Sequence, residues 1–158
     1  MIQRVQTLYL LGAAILGILL FFVGIAKFNY VAYESSKTII LSLTGISVQE
    51  GSSKAIMQPN MVLIGVNVFI VIDCLAAIFL FKNRRVQLLL CKLISLAILV
   101  LTALLAYSIY NLLNITDLIS REFLSGALLP LLMLIMVNLA ARNINKDEQL
   151  VRSADRIR

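Results

Sequence analysis

The stretch Phe79-Leu80-Phe81-Lys82-Asn83-Arg84-Arg85-Val86-Gln87-Leu88 decides the fold. Two long apolar blocks meet there across four residues that carry three positive charges. A water-soluble helix would carry its charges along one face; here they are confined to the junction between blocks. That arrangement is a tight turn between two membrane-spanning helices, held on the cytoplasmic side by its cations.

Working outward, the block before the turn runs from Met61 to Phe81 and the block after it from about Val86 to Leu113. Two more lie at the ends of the chain, from about Thr7 to Ala26 and from Phe123 to Ala141. Each reaches the ~20 residues that ~30 Å of hydrocarbon requires. The third is longer, which predicts tilt or projection beyond the membrane. The first exceeds a signal-peptide core, and no small-residue cleavage site follows, so it reads as an uncleaved helix. The expectation is an all-α membrane protein, a single domain built as a four-transmembrane-helix bundle.

Composition agrees. Of 158 residues, 61% are hydrophobic, and the mean hydropathy is +0.97. Soluble domains run at about 45–50% apolar, and a chain of this size could not bury such an excess in water. Net charge is +6, but the cations flank apolar blocks and form no basic stripe with interleaved aromatics. They describe topology, and nucleic acid is not an expected partner. One side holds Arg4, then Lys82, Arg84 and Arg85, then Arg142, Lys146, Arg152, Arg156 and Arg158; the other holds Lys27, Lys37, Lys54 and Arg121. With an even number of spans, both termini are expected in the cytoplasm.

The outer loop 27–60 is the only sizeable segment outside the bilayer. Its centre, Thr38-Ile39-Ile40-Leu41-Ser42-Leu43-Thr44-Gly45-Ile46-Ser47-Val48, is rich in β-branched residues and alternates apolar with polar on either side of Thr44-Gly45. This predicts a small β-hairpin bent at Thr44-Gly45. The second outer loop, 114–122, reads as a helical turn. Ser125-Gly126 followed by Pro130 predicts a kinked start to the fourth helix.

Little in the chain carries chemistry. There is no histidine, which removes imidazole acid–base catalysis and most transition-metal and haem ligation. Cys74 and Cys91 fall inside apolar blocks and read as small core residues. Ser95 and Cys91 lack a partner base. No catalytic residue, cofactor or metal is expected.

Two charges lie at membrane depth, where each is costly: Asp73 and Lys92. Asp73 is about 12 Å from the inner end of its helix, and Lys92 is about 9 Å from the same end of the next, at 1.5 Å per residue. The expectation is an Asp73–Lys92 ion pair, direct or through water, that sets hairpin register. Asn67 and Asn138 are the other deep polar groups, expected to bond between helices. Ala13-x-x-x-Gly17 and Thr102-x-x-x-Ala106 have the spacing of close helix contacts. In the tail 142–158, Leu150, Val151, Ala154 and Ile157 form a narrow apolar stripe, and Glu148 and Arg152 pair at i,i+4. The fourth helix is therefore expected to continue into the cytoplasm.

Two segments carry a resemblance. Met1-Ile2-Gln3-Arg4-Val5-Gln6-Thr7-Leu8-Tyr9-Leu10-Leu11 and Lys146-Asp147-Glu148-Gln149-Leu150-Val151-Arg152-Ser153-Ala154-Asp155-Arg156-Ile157-Arg158 resemble the uncharacterised DUF4293 family of small four-helix membrane proteins from Bacteroidota. The middle of the chain is similar to that family in layout, through its four spans and the Lys82–Arg85 turn. The resemblance implies a bacterial inner membrane and brings no activity and no catalytic residues. It draws attention to the cytoplasmic ends, where Arg4, Lys82, Arg84, Arg85, Leu150, Val151, Arg152, Asp155 and Arg156 would form one partner surface. The function expected is a non-catalytic subunit or accessory factor of a larger inner-membrane complex, in contact with other membrane-protein subunits. The alternative is a homo-oligomeric channel or transporter that uses Asp73.

Overall fold

A computed structural model describes residues 5–32, 35–50, 53–80, 83–115 and 120–155. Four helices account for most of them: α1 (Val5–Leu19), α2 (Met61–Phe79), α3 (Arg84–Ile115) and α4 (Leu129–Asp155). Helix α1 packs on α2 and α4, and α3 packs on α2 and α4, so the four close into a ring. A continuous core fills the ring, including Leu10, Ala13, Ile70, Cys74, Cys91, Ile94, Ile98, Met133 and Val137. On α2 the buried positions Leu63, Asn67, Ile70, Cys74 and Ala77 recur at three- and four-residue spacing, the stripe of a helix with one face inward. The outward positions are apolar as well: Phe69, Phe79, Leu96, Leu99 and Leu131 are all exposed. A helix that is hydrophobic all round is stable only where its surroundings are apolar too. Three of the helices are long and apolar enough to cross a membrane, and α1 is shorter.

The end of the bundle away from the α2–α3 turn carries a sheet. Strands β1 (Gly24–Ala32), β2 (Ser35–Ser42), β3 (Gly45–Glu50) and β4 (Ser53–Pro59) follow α1, and β5 (Ser120–Phe123) precedes α4. They form one antiparallel sheet in the order β4-β3-β2-β1-β5. The predicted hairpin is present as β2–β3, with Leu41 opposite Ile46 and Ser42 opposite Gly45. Gly45 sits at φ 142°, a backbone region open to glycine and strained for other residues. The Ser42 hydroxyl donates to Gly45 O at 2.9 Å and lies 3.0 Å from the Thr44 hydroxyl, which closes the turn.

Three expectations need correction. Helix α1 does not reach Ala26. It ends at Leu19, turns through 20–23, and Gly24 opens β1. Within this stretch Leu20 and Ile25 plug the bundle, and Ala26 is buried in β1 on the apolar face of the sheet. The hairpin is not alone, because β1 and β4 extend it on both sides. The second outer loop is not simply a helical turn: α3 runs to Ile115, and β5 pairs with β1, placing Ala26 opposite Phe123 and Lys27 opposite Glu122.

The sheet needs support because an isolated hairpin is marginal in water. Ala26, Phe28, Ile39 and Leu41 make an apolar face that packs on Ile109, Leu112 and Leu113 of α3. At ~1.5 Å per residue, the 32 residues of α3 span about 48 Å, well beyond ~30 Å of hydrocarbon. Its last turns are the post on which the sheet stands. Ser125–Leu128 forms a 3-10 turn before α4, the local form of the predicted kinked start.

Candidate functional site

The best-defined polar constellation lies where α2, α3 and α4 meet at the end of the bundle away from the sheet. The chain reverses tightly, with Asn83 N–H donating to Leu80 O at 3.1 Å and Gln87 N–H to Asn83 O at 3.0 Å. The Gln87 side chain, fully buried, donates from Nε2 to Ala77 O at 3.0 Å and ties the start of α3 to the last turn of α2. Arg84 then reaches across to α4, where Nη1 donates to Asp147 O at 2.9 Å. Arg85 Nε lies 4.0 Å from Glu148 Oε1, with Arg85 largely exposed, so solvent screens that pair and it contributes little. Helix α4 continues unbroken to Asp155, with its buried core face ending at Ile144 and a mostly polar sequence beyond it. The expected cytoplasmic helix is therefore present as a helix and is clamped by Arg84.

Of the residues read as a partner surface, Arg84 and Arg85 are brought together with α4. Leu150, Val151, Arg152 and Asp155 lie on its last turns. Arg4, Lys82 and Arg156 lie outside the described residues.

Asp73 and Lys92 are not joined. Lys92 is on the exposed face of α3, one residue past the buried Cys91. Asp73 is half-buried, and its Oδ2 has no hydrogen-bond partner. The two helices place the residues at similar depth, but no ion pair or hydrogen bond joins them, and Lys92 is exposed.

Asn67 behaves as expected. It is fully buried, and Nδ2 donates to Gly17 O of α1 at 2.9 Å. Asn138 does not. It is exposed and donates to Leu134 O in its own helix at 2.9 Å. Gln6 and Gln87 are buried polar residues that hydropathy did not single out. The signal was available for Gln87, which shares a face with Cys91 and Ile94 at i+4 and i+7. Among the described residues, the buried side-chain atoms without partners are Gln6 Oε1, Asn67 Oδ1, Asp73 Oδ2 and Gln87 Oε1. All are oxygens, which a donor such as water would satisfy.

Ser95 Oγ donates to Cys91 O at 2.9 Å, and Ser108 Oγ to Leu104 O at 2.9 Å; both hydroxyls are committed to their own helix. Cys74 and Cys91 are buried free thiols. Among the described residues no group of acidic, cysteine or histidine side chains could hold a metal ion.

Fold and site together define a small helical membrane-type protein, a ring of four helices capped by an antiparallel sheet. The family model described as Domain of unknown function (DUF4293) matches residues 2–157, nearly the whole chain, and the protein belongs to that family. No curated protein matches it.

Proposed function

We propose that this protein is a non-catalytic integral membrane subunit or accessory factor of a larger inner-membrane assembly. In this reading it crosses the bilayer four times, with both termini cytoplasmic, and meets its partners through the cytoplasmic ends and the outer sheet. The observation that carries the proposal is the clamped extension of α4. From Lys146 to Asp155 the helix runs roughly 15 Å past Ile144, the last α4 residue in the buried core. Arg84 fixes it beside the α2–α3 turn through Asp147 O. A polar helix held in place outside the bundle presents a preorganised surface, and preorganisation lowers the entropy lost on docking.

The topology rests on charge. The turn and the α4 extension are rich in Lys and Arg, and the helix ends near the sheet are poorer in them. Helix α1 is about 22 Å long, short of ~30 Å, a mismatch that local thinning of the bilayer accommodates.

Purification of the tagged full chain from native membranes in mild detergent tests the proposal. A stoichiometric partner should co-purify and be lost in a variant carrying Arg84→Glu and Glu148→Arg. A clean homomer that forms without any partner would contradict it.

A second reading, a homo-oligomeric channel or transporter, draws on the partnerless Asp73 Oδ2. Ion flux in liposomes that disappears in Asp73→Asn would favour it over the first.

A further inference from the structure

The seam between α2 and α3 carries two hollows in line. The upper one, about 400 Å³, lies where the seam meets the sheet, between Ile46 of β3, the start of α2 and the upper turns of α3. Its polar lining is Asn60, Tyr107, Ser108 and Asn111. The lower one, about 380 Å³, is lined only by Gly65, Val66 and Phe69 of α2 and Leu93, Leu96, Ala97 and Val100 of α3. Val62 above and Gly65 below are one turn apart on α2; Leu104 and Val100 are one turn apart on α3. The two hollows therefore form one track, polar at the sheet end and apolar along the helices.

We infer that this track binds a long-chain membrane amphiphile with an uncharged hydroxyl- or ester-bearing head, the head in the upper hollow and the chain in the lower. The upper hollow offers hydrogen bonds that the protein does not use itself. Asn60 commits its side-chain oxygen to Leu63 N–H as the cap of α2, at 3.4 Å, which leaves its amide N–H groups free. Asn111 and the Tyr107 hydroxyl have no partner among the described residues. No charged side chain lines the hollow, so an ionic head would enter uncompensated. Tyr107 and Tyr110 are exposed at this level, the position in which tyrosines anchor at a membrane interface. The lower hollow is open where Gly65 stands, since a Cβ there would meet nothing within 4 Å. From Asn111 to Leu93 the track runs about 27 Å along α3, enough to hold the roughly 20–22 Å of one lipid leaflet's head and chain. The inference rests on the membrane reading and is independent of any protein partner.

The test uses the full chain in phosphatidylcholine vesicles with a monoacylglycerol that carries a diazirine at mid-chain. Labelling should saturate and map to peptides covering 65–69 and 93–100. Gly65→Phe, which fills the hollow, should abolish the saturable part. Asn111→Leu, which removes one neutral hydrogen bond, should weaken it about fivefold. The exposed α4 residues Leu131, Leu132 and Ile135 report general lipid contact and should label alike in all variants. Labelling that does not saturate, or is unchanged in both variants, would mean bulk lipid contact only and overturn the inference. Absence of α4 labelling would overturn the membrane insertion on which it stands.

Discussion

Asn67 of α2 donates its side-chain amide to the backbone carbonyl of Gly17, 2.9 Å away in the centre of the bundle. Gly17 lies in the last turn of α1, where carbonyls run out of donors. The N–H that would normally reach it, from Phe21, goes to Ile18 O instead. Asn67 is therefore the C-terminal cap of another helix, and it sits where α1 gives way to the sheet. Gly17 makes the approach possible, because a Cβ there would lie 2.7 Å from Val71 Cγ2. Asn67→Leu should cost about 1–2 kcal/mol, the value of a buried interhelical bond and its orphaned carbonyl. Thermal unfolding in detergent measures it, and an unchanged midpoint would show that the cap does not matter.

Two glycines make a matched pair. Gly126 in the 3-10 turn lies against β1, and a Cβ there would be 2.4 Å from Gly24 O, a backbone atom that cannot step aside. Gly65 faces open space. Gly126→Ala should destabilise by about 2 kcal/mol or more through overpacking. Gly65→Ala should be neutral, or stabilise by up to about 1 kcal/mol through helix propensity. Equal effects in a side-by-side melt would contradict the close approach of α4's start to the sheet.

Gly45 closes the β2–β3 hairpin at φ 142°. Gly45→Ala should cost about 1–3 kcal/mol in backbone strain. Amide exchange should rise first at Ile46 and Val48, with α2 and α4 unaffected. A variant with native exchange in β3 would remove the strain argument.

Arg84 and Arg85 are adjacent yet unequal. Arg84 makes a charge-assisted bond to Asp147 O, whereas Arg85 makes a long, exposed contact. Arg84→Ala should raise amide exchange across 147–155, while Arg85→Ala should shift stability by less than about 0.5 kcal/mol. Equal protection of α4 in both variants would mean that the extension holds itself.

Asp73 and Lys92 should be energetically uncoupled, since no ion pair joins them. In a double-mutant cycle of Asp73→Asn and Lys92→Met the coupling should fall below about 0.3 kcal/mol. A coupling above about 1 kcal/mol would restore the pair as a structural element.

The helices were legible because long apolar blocks are local signals. The α2–α3 turn and the helical continuation of α4 were legible for the same reason, as was the hairpin bend at Thr44-Gly45. The end of α1 was not. Leu20, Ile25 and Ala26 are apolar whether they sit in a membrane helix or plug a bundle and open a strand, and hydropathy cannot separate the two. Strand β5 was hidden because its pairing joins Ala26 to Phe123, a contact that no local pattern encodes. Asp73 and Lys92 misled because rise per residue gives depth and says nothing of rotation. Gln87, whose amide ties α3 to α2, escaped notice beside three cationic neighbours.

We propose the α2–α3 turn and the α4 extension as a docking surface for another membrane protein. Crosslinking with mass spectrometry in native membranes tests it most directly, because Lys146 on α4 and Lys54 on β4 report opposite ends of the molecule. Abundant crosslinks from Lys146 to one recurrent partner chain are expected, reduced when Arg84 is replaced by alanine. Crosslinks from Lys146 that reach only this chain and its own copies would contradict it.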